Sequence, residues 1–241
     1  MRAETRRSLK QDQFSRVTID AAENAVHWTV EHQSKLIVAG IVVAVLLAIT
    51  LGGWYYLGQQ DQKASAELSG AIRTLSTPLR PEGMPAQPDV PSFTSSKERA
   101  TAAHKQFQAI CDRYAHTHSG DIARYFLGLT SADLGDNAAA ERELRAVSSL
   151  HDDDLSALAR FALASVYRNT NRGREAIELY KKLIDKPTTT VSKVSAQLEM
   201  AATYQDDNQP LEAKRILEQV QKENPNTESA QMATQKLQEI K

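Results

Sequence analysis

The sequence predicts an all-α protein in which one membrane-spanning helix precedes a series of helical hairpins. Residues 36–57 form an uncharged apolar run, and from residue 96 onward small and apolar residues recur at helical spacing. No stretch of the sequence shows the alternation of a half-buried strand. The 29 Lys and Arg against 30 Asp and Glu leave a net charge of −1. Nucleic-acid binding needs a clustered basic surplus, so this balance argues against such a partner.

Residues 36–57 are long enough to cross a bilayer. As a helix they would span about 33 Å at 1.5 Å per residue, which exceeds the thickness of the hydrocarbon core. Lys35 stands at one edge, and a Trp-Tyr-Tyr run beginning at Trp54 stands at the other, where such rings favour the headgroup level. A cleaved signal peptide is the alternative. The length of the run and the 35 residues before it favour a permanent anchor.

The residues that flank the span predict its orientation. The tail, residues 1–35, carries six Lys and Arg, whereas the 35 residues after the span carry three. This excess predicts a cytoplasmic tail and an external C-terminal part. Within the span, small residues recur at every fourth position: Gly40, Ala44, Ala48 and Gly52. Such a face lets another membrane helix approach closely, so we expect helix packing there.

Two segments separate the span from the repeats. Residues 58–77 are predicted to form a juxtamembrane helix, since Ala64, Leu68 and Ala71 fall on one stripe. Residues 78–95 follow and contain five prolines. Neither a helix nor a central strand tolerates that density of proline. This segment is therefore predicted to be an extended linker that holds the following domain away from the bilayer.

Residues 96–241 contain an internal repeat with starts 36 and 37 residues apart. Each repeat opens with a pair in which the second residue is small: Leu127-Gly128, Leu163-Ala164 and Met200-Ala201. Two further positions recur 13 and 17 residues after each start: Ala140, Ala176 and Ala213, then Leu144, Tyr180 and Leu217. Small residues at these sites let the two helices of a hairpin pack closely, and the larger residues fill the space toward the next hairpin.

This pattern resembles the tetratricopeptide repeat, with its Leu-Gly pair, later Ala sites and closing Pro. The resemblance implies a right-handed α-solenoid of three to four hairpins. Phe107, 20 residues before Leu127, marks the second helix of an earlier, incomplete hairpin. At the other end, Met232, Ala233, Leu237 and Ile240 form a stripe that predicts a C-terminal capping helix.

The sequence contains no motif for catalysis. It has no Gly-rich phosphate loop, no His-Glu-x-x-His and no Gly-x-Ser-x-Gly, so we expect neither an enzyme nor a bound cofactor or metal. Residues 116–121 include two His and one Asp, but their spacing suits a solvated turn. Asp153 or Asp154 is expected to cap the next helix. Cys111 is predicted to be a buried apolar residue.

In the tetratricopeptide family the first helix of each hairpin lines a concave groove, and the resemblance assigns that groove to residues near the repeat pairs. The candidates are Tyr125, Leu129, Phe161, Ser165, Arg168, Asn169, Leu198 and Gln205. An apolar groove with a polar rim suits an amphipathic helix or an unfolded apolar segment. The alternative is that Tyr125, Phe161 and Leu198 only pack against neighbouring helices.

The whole plan of tail, span and outward repeat domain resembles the bacterial ancillary subunits of the Sec translocon. The resemblance implies an inner-membrane protein with a periplasmic repeat domain, whose partners are translocon subunits and periplasmic chaperones. We therefore expect a membrane-anchored scaffold that assists exported proteins. The alternative is an assembly factor for envelope biogenesis or cell division that acts through its transmembrane helix. Two copies could also associate through the span or the repeats.

Overall fold

The computed structural model describes residues 33–81 and 92–240, and it places nine helices within them. We number them α1 Gln33–Ser76, α2 Ser96–Arg113, α3 His118–Asp133, α4 Asn137–Ser148, α5 Asp153–Asn169, α6 Gly173–Asp185, α7 Lys193–Asp206, α8 Pro210–Glu223 and α9 Glu228–Glu239. Strand-like pairing in these ranges is limited to one isolated bridge, between Leu79 and Phe93. The predicted all-α class is confirmed. Residues 1–32 of the predicted tail and residues 82–91 of the predicted linker lie outside the described residues.

The protein divides into two compact units, and the first of them is Met1–Tyr56. Its described part is the first half of α1, where the long apolar side chains are exposed, as for Ile37 at 55% and Leu51 at 63%. The Thr50 hydroxyl lies 3.0 Å from the carbonyl oxygen of Leu46 and is satisfied within the helix, as a bilayer requires. Among the described residues, α1 is the one helix long and apolar enough to cross a membrane.

The second unit, Leu57–Lys241, holds the predicted hairpins α3–α4, α5–α6 and α7–α8. Each hairpin turns through one residue in the left-handed backbone region. These residues are Gly135 with φ +85°, Asn171 with φ 58° and Asn208 with φ 57°. Glycine has no Cβ to clash in this region, and asparagine tolerates it better than most residues. The three short turns make the paired helices antiparallel neighbours.

The repeat pairs lie where the helices of a hairpin approach each other most closely. A Cβ added to Gly128 would lie 2.7 Å from Cγ of Leu144, a separation that real side chains do not show. Glycine therefore allows α3 and α4 to pack at this distance. The corresponding Ala164 and Ala201 are fully buried, and so is the large side chain of Tyr180. The spacing read from the sequence thus identified the core positions of the solenoid.

The second unit begins at Leu57, earlier than the domain start at residue 96 predicted from the sequence. Ala64, Leu68 and Ala71, the stripe assigned to a juxtamembrane helix, are buried in one cluster with Phe107 of α2 and residues of α3. The second half of α1 is therefore the first helix of the incomplete hairpin, and α2 is the second.

Polar contacts fix this part of α1 to the helices that follow it. Arg113 Nη1 and Tyr114 Oη both donate to Glu67 Oε1, at 2.7 and 2.8 Å. The backbone N–H of Ser119, in the first turn of α3, donates to Asp61 Oδ1 at 2.8 Å. A carboxylate at a helix N-terminus satisfies a free N–H and complements the helix dipole. Asp61 therefore helps to cap α3 from a different helix.

Both ends of the Pro-rich segment are attached to the second unit. The Arg80 N–H donates to the carbonyl oxygen of Phe93 at 2.8 Å, and Arg99 Nη1 donates to that of Thr77 at 2.8 Å. The segment therefore joins two helices of one unit, and the predicted role as a spacer between bilayer and repeat domain does not hold. Prolines mark the end of a helix, but they carry no information on whether the flanking helices pack together.

The N-cap of α5 differs from the prediction. The Asp152 carboxylate accepts the Leu155 N–H at 3.0 Å, so Asp152 is the N-cap of α5. The expectation that Asp153 or Asp154 would cap is wrong, because both lie inside the first turn, where acidic residues favour the helix dipole.

The predicted capping helix is α9, whose Ala230 and Ala233 are buried. Leu237 packs against the main core cluster as expected. Met232 does not, because its side chain is 44% exposed. Ile240 also packs against the main core cluster as predicted, so the stripe differs from the prediction only in that Ala230 takes the place of Met232. Two small residues, Ala230 and Ala233, allow this helix to lie close to α8.

Candidate partner-binding face

The first helices of the three hairpins are neighbours in the structure. α3 contacts α5, and α5 contacts α7, in addition to the contacts of each helix within its own hairpin. We call the eight candidate residues on these helices the repeat face: Tyr125, Leu129, Phe161, Ser165, Arg168, Asn169, Leu198 and Gln205. They lie on three helices that are neighbours in the order of the repeats.

The apolar residues of the repeat face are only partly used by the core. Tyr125, Leu129 and Phe161 are half-buried and pack against the main core cluster, whereas Leu198 is buried at 8% exposure. The Phe161 ring meets the Tyr180 ring edge to face, with centroids 5.7 Å apart. Part of each of the three half-buried side chains remains accessible to a ligand. Leu198 serves packing, which is the alternative raised from the sequence.

The polar residues of the repeat face are organised by Arg168 on α5. Its Nη1 donates to Glu199 at 2.8 Å and its Nε donates to Asp206 at 2.5 Å, and both carboxylates belong to α7. Charge-assisted bonds of this kind hold the guanidinium in one orientation. Asn169 is exposed beside it, and Ser165 and Gln205 are half-buried. Arg168 therefore joins two repeats and is held in a fixed position on the repeat face.

Two buried polar atoms near these helices have no hydrogen-bond partner among the described residues. They are Oη of Tyr180, on a fully buried side chain, and Oε1 of Gln197, at 2% exposure. Burial and the charge of Glu199 raise the pKa of Tyr180, and Arg168 opposes them. The hydroxyl therefore stays neutral. Sequence reasoning identified Tyr180 as core but gave no sign of its unsatisfied hydroxyl.

An ionic cluster that the sequence did not predict ties the first two complete hairpins together. Arg172 Nη1 donates to Glu141 Oε2 at 2.6 Å, and its guanidinium stacks over the Tyr167 ring, 4.1 Å from the centroid. The Tyr167 hydroxyl donates to Glu141 at 3.2 Å, and Arg145 also contacts this carboxylate. The hydrogen bond from Arg172 is the main reason that the pKa of Glu141 is lowered. This cluster links α4 to the start of α6.

The residues considered for chemistry do not form a reactive site. Cys111 is buried, and burial raises the pKa of its thiol to about 11, which suppresses the thiolate. Nδ1 of His118 lies 3.8 Å from Asp152, too far for a hydrogen bond. Within residues 33–81 and 92–240, no group of three His, Cys, Asp or Glu is arranged to hold a metal ion.

The small-residue face of the span lies on the first half of α1. Gly40, Ala44, Ala48 and Gly52 are all exposed. A Cβ added to Gly40 or Gly52 would meet nothing within 4 Å. The helix therefore has room for a close neighbour at these positions.

Comparison with known families identifies the class of protein. The model of the tetratricopeptide repeat-like domain matches residues 27–182, which is more than half of the 241 residues. The protein therefore belongs to the tetratricopeptide repeat-like domain family. The match includes the span and ends within α6, so α7, α8 and α9 lie beyond it. Searches of curated proteins and of solved structures return no significant match. Repeat domains of this type are scaffolds for protein–protein interaction, and they are typically not catalytic.

Proposed function

We propose that this protein is a membrane-anchored scaffold that binds protein partners through the repeat face. The observation that carries the proposal is the partial exposure of Tyr125 and Phe161 on adjacent first helices. Tyrosine and phenylalanine supply large contact areas at little cost in side-chain entropy, and they are enriched at protein interfaces. Their buried portions fix the rings in place, so a partner meets a preorganised surface.

The chemistry of the repeat face favours an apolar peptide segment as its partner. Leu129 and the two aromatic rings supply apolar surface, and the Arg168 guanidinium is already neutralised by Glu199 and Asp206. A cation that two carboxylates already neutralise attracts a partner's carboxylate only weakly. The partner that fits is an amphipathic helix or an extended apolar segment whose polar edge lies along the Arg168 ion pairs.

The proposed location is the bacterial inner membrane, with the N-terminal tail in the cytoplasm and the repeat domain in the periplasm. The uncharged run at residues 36–57 and the excess of Lys and Arg before it support this orientation. At that site the scaffold would assist newly exported proteins at the Sec translocon, or bind the chaperones that receive them. The proposal rests on the similarity of the whole architecture to ancillary translocon subunits.

Blocking the repeat face tests the proposal. Ser165→Arg places a long cation on the central helix of the face, and Gln106→Arg makes the same charge change at an exposed site on α2. The full-length variants are purified in mild detergent with their bound proteins, which are identified by mass spectrometry. We expect Ser165→Arg to lose partners that Gln106→Arg and the unmodified protein retain. Equal recovery from all three proteins would contradict binding at the repeat face.

A second candidate is an assembly factor that acts through the span, for example in envelope biogenesis or cell division. It is favoured by the open space at Gly40 and Gly52 on an exposed face of α1. Replacing both glycines with leucine should abolish partner recovery if this candidate is correct. The same change should spare partners that bind through the repeat face.

A further inference from the structure

Two of the three first helices end in an acidic residue. α3 ends at Asp133 and α7 ends at Asp206, and neither helix has a basic residue in its last turn. Both aspartates stand at the same position of the repeat, six residues after Leu127 and Met200. The C-terminus of a helix carries a partial negative charge, which favours a cation and disfavours a carboxylate. The repeat therefore places carboxylates where each helix itself would favour positive charge.

Glu199 adds a third carboxylate close to the aromatic part of the repeat face. It accepts a hydrogen bond from Arg168, as Asp206 does. The side chain of Arg168 is 27% exposed, whereas those of Glu199 and Asp206 are 40% and 55% exposed. After burial, the charge of Glu199 is the second cause of the raised pKa of Tyr180, whose ring meets that of Phe161. The two carboxylates are therefore more accessible than the guanidinium that they bind, and Glu199 lies within electrostatic range of the aromatic pair.

The other Lys and Arg residues of these three helices are bound elsewhere. Arg124 and Lys193 each form an ion pair with a glutamate of a second helix, on α4 and α8 respectively. Arg160 donates to the carbonyl oxygen of Ser148 at 2.9 Å. Arg168 is therefore the one cation of α3, α5 and α7 that pairs with carboxylates of a neighbouring first helix.

Asp133 is the least neutralised of the three carboxylates. Its side chain is exposed, and no ion pair joins it to another of the described residues. Lys97 and Arg99 line a surface cavity together with Asp133 but form no ion pair with it. Its charge is therefore available to a partner.

We call the three carboxylates the acidic trio: Asp133, Glu199 and Asp206. We infer that the partner of the repeat face is an apolar peptide segment that carries Lys or Arg at its polar edge, an inference that rests on the proposed function. Within the described residues the trio has one ion-pair partner, Arg168, so two negative charges stay unbalanced. Ammonium or guanidinium groups of the partner balance these charges and also meet the negative ends of α3 and α7. Apolar side chains of the same segment pack on the half-buried rings of Tyr125 and Phe161.

The preference for charge is measured with three labelled peptides and the full-length protein in nanodiscs of zwitterionic phosphatidylcholine. The peptides share the core Ala-Leu-Ala-Leu-Ala, an acetylated N-terminus and an amidated C-terminus, and they carry Lys, Gln or Glu at both ends. Fluorescence anisotropy gives the affinities, and empty nanodiscs give the lipid binding to be subtracted. We expect the Lys probe to bind at least about tenfold more tightly than the Glu probe, with the Gln probe between them. Raising NaCl from about 0.05 to about 0.5 M should reduce this difference, because salt screens exposed charges.

Variants then test whether the acidic trio causes the preference. The double variant Asp133→Asn with Asp206→Asn removes two charges, and asparagine can still accept the hydrogen bond from Arg168. In this variant the Lys and Gln probes should differ by less than about twofold. The control, Asp112→Asn with Asp185→Asn, removes two carboxylates from exposed sites on α2 and α6 and should keep the preference. Equal losses in both double variants would show a nonspecific charge effect and would refute the inference. If the first double variant does not fold, Asp133→Asn alone decides, because an unchanged preference there would refute the role of the trio.

The Ser165→Arg variant separates this inference from the proposed function. Equal binding of all three probes that Ser165→Arg abolishes would overturn the inference and leave binding at the repeat face standing. A preference for the Glu probe would also overturn it. No binding of any probe at about millimolar concentration would contradict both the inference and the proposed function.

Discussion

Leu68→Ala tests whether the second half of α1 belongs to the repeat domain. The Leu68 side chain is 6% exposed and lies in one cluster with Phe107 and Ile110. The substitution removes three carbon atoms, worth about 0.8 kcal/mol for each buried CH₂, and leaves a cavity that adds to the loss. We expect the free energy of unfolding of the second unit to fall by about 2–4 kcal/mol. For a domain of this size that loss lowers Tm by about 4–16 °C.

The assay is urea-induced unfolding of the full-length protein in nanodiscs, followed by pulse proteolysis of the second unit. Leu57→Ala is the matched control, because Leu57 is 44% exposed and the same three atoms are removed. The control should change the free energy of unfolding by less than about 0.5 kcal/mol. A detached juxtamembrane helix would make both variants equally harmless. That result would refute the assignment of residues 57–76 to the first, incomplete hairpin.

Three further outcomes follow from other contacts. Gly128→Ala should lower the free energy of unfolding by about 1–2 kcal/mol, because overlap of the new methyl group with Leu144 outweighs the gain in helix propensity. When Leu144 is also replaced with alanine, the same Gly128→Ala change should no longer lower the free energy measured by urea unfolding. The pKa of Glu141 is lowered in the folded protein, so near pH 4.5 the unfolded protein binds more protons than the folded one. The stability that this carboxylate contributes is therefore lost as the pH falls through the lowered pKa. Arg172→Ala should flatten the dependence of Tm on pH below 5, because it removes the main cause of the lowered pKa. Cys111, with its thiol pKa raised to about 11, should react with iodoacetamide at pH 8 at least about 100-fold more slowly than in the urea-unfolded protein, as measured by mass spectrometry.

Each of these outcomes has a result that would contradict it. Additive effects of Gly128→Ala and Leu144→Ala would show that the two residues do not restrict each other. An unchanged pH dependence in Arg172→Ala would mean that the hydrogen bond to Glu141 contributes nothing to the acid response. Alkylation of Cys111 at the unfolded rate would place the thiol at the surface.

The sequence predicts the periodic part of this fold because helix packing imposes a spacing that can be counted. Gly128, Ala164 and Ala201 recur because two helices of each hairpin must approach closely at the same position. The turns at Asn171 and Asn208 also carry a local signal, because few residues tolerate a left-handed backbone. These features depend on local geometry, so they can be predicted from one sequence.

The contacts between distant segments are not predicted, because they have no period. Glu67 accepts hydrogen bonds from Arg113 and Tyr114, which lie 46 and 47 residues later, and nothing in the sequence around Glu67 marks it as a partner. The prolines after residue 77 likewise predict the end of a helix, but they give no sign that the helices on either side, α1 and α2, pack together in one unit. For the repeat face, the sequence supplies the candidate residues, and their sharing of one surface stays a prediction. The exposed share of Tyr125 and Phe161, on which the proposed binding depends, is decided by how neighbouring helices pack.

The most direct test of the scaffold is photo-crosslinking in intact membranes. A photoreactive amino acid replaces Asn169, which is exposed on the repeat face, or Gln106, which is exposed on α2, and crosslinked proteins are identified by mass spectrometry. Protease digestion of the same membranes reports on which side the repeat domain lies. The proposal predicts partner crosslinks from position 169 but not from position 106, with the repeat domain outside the cytoplasm. Equal crosslinking from both positions, or a repeat domain on the cytoplasmic side, would contradict it.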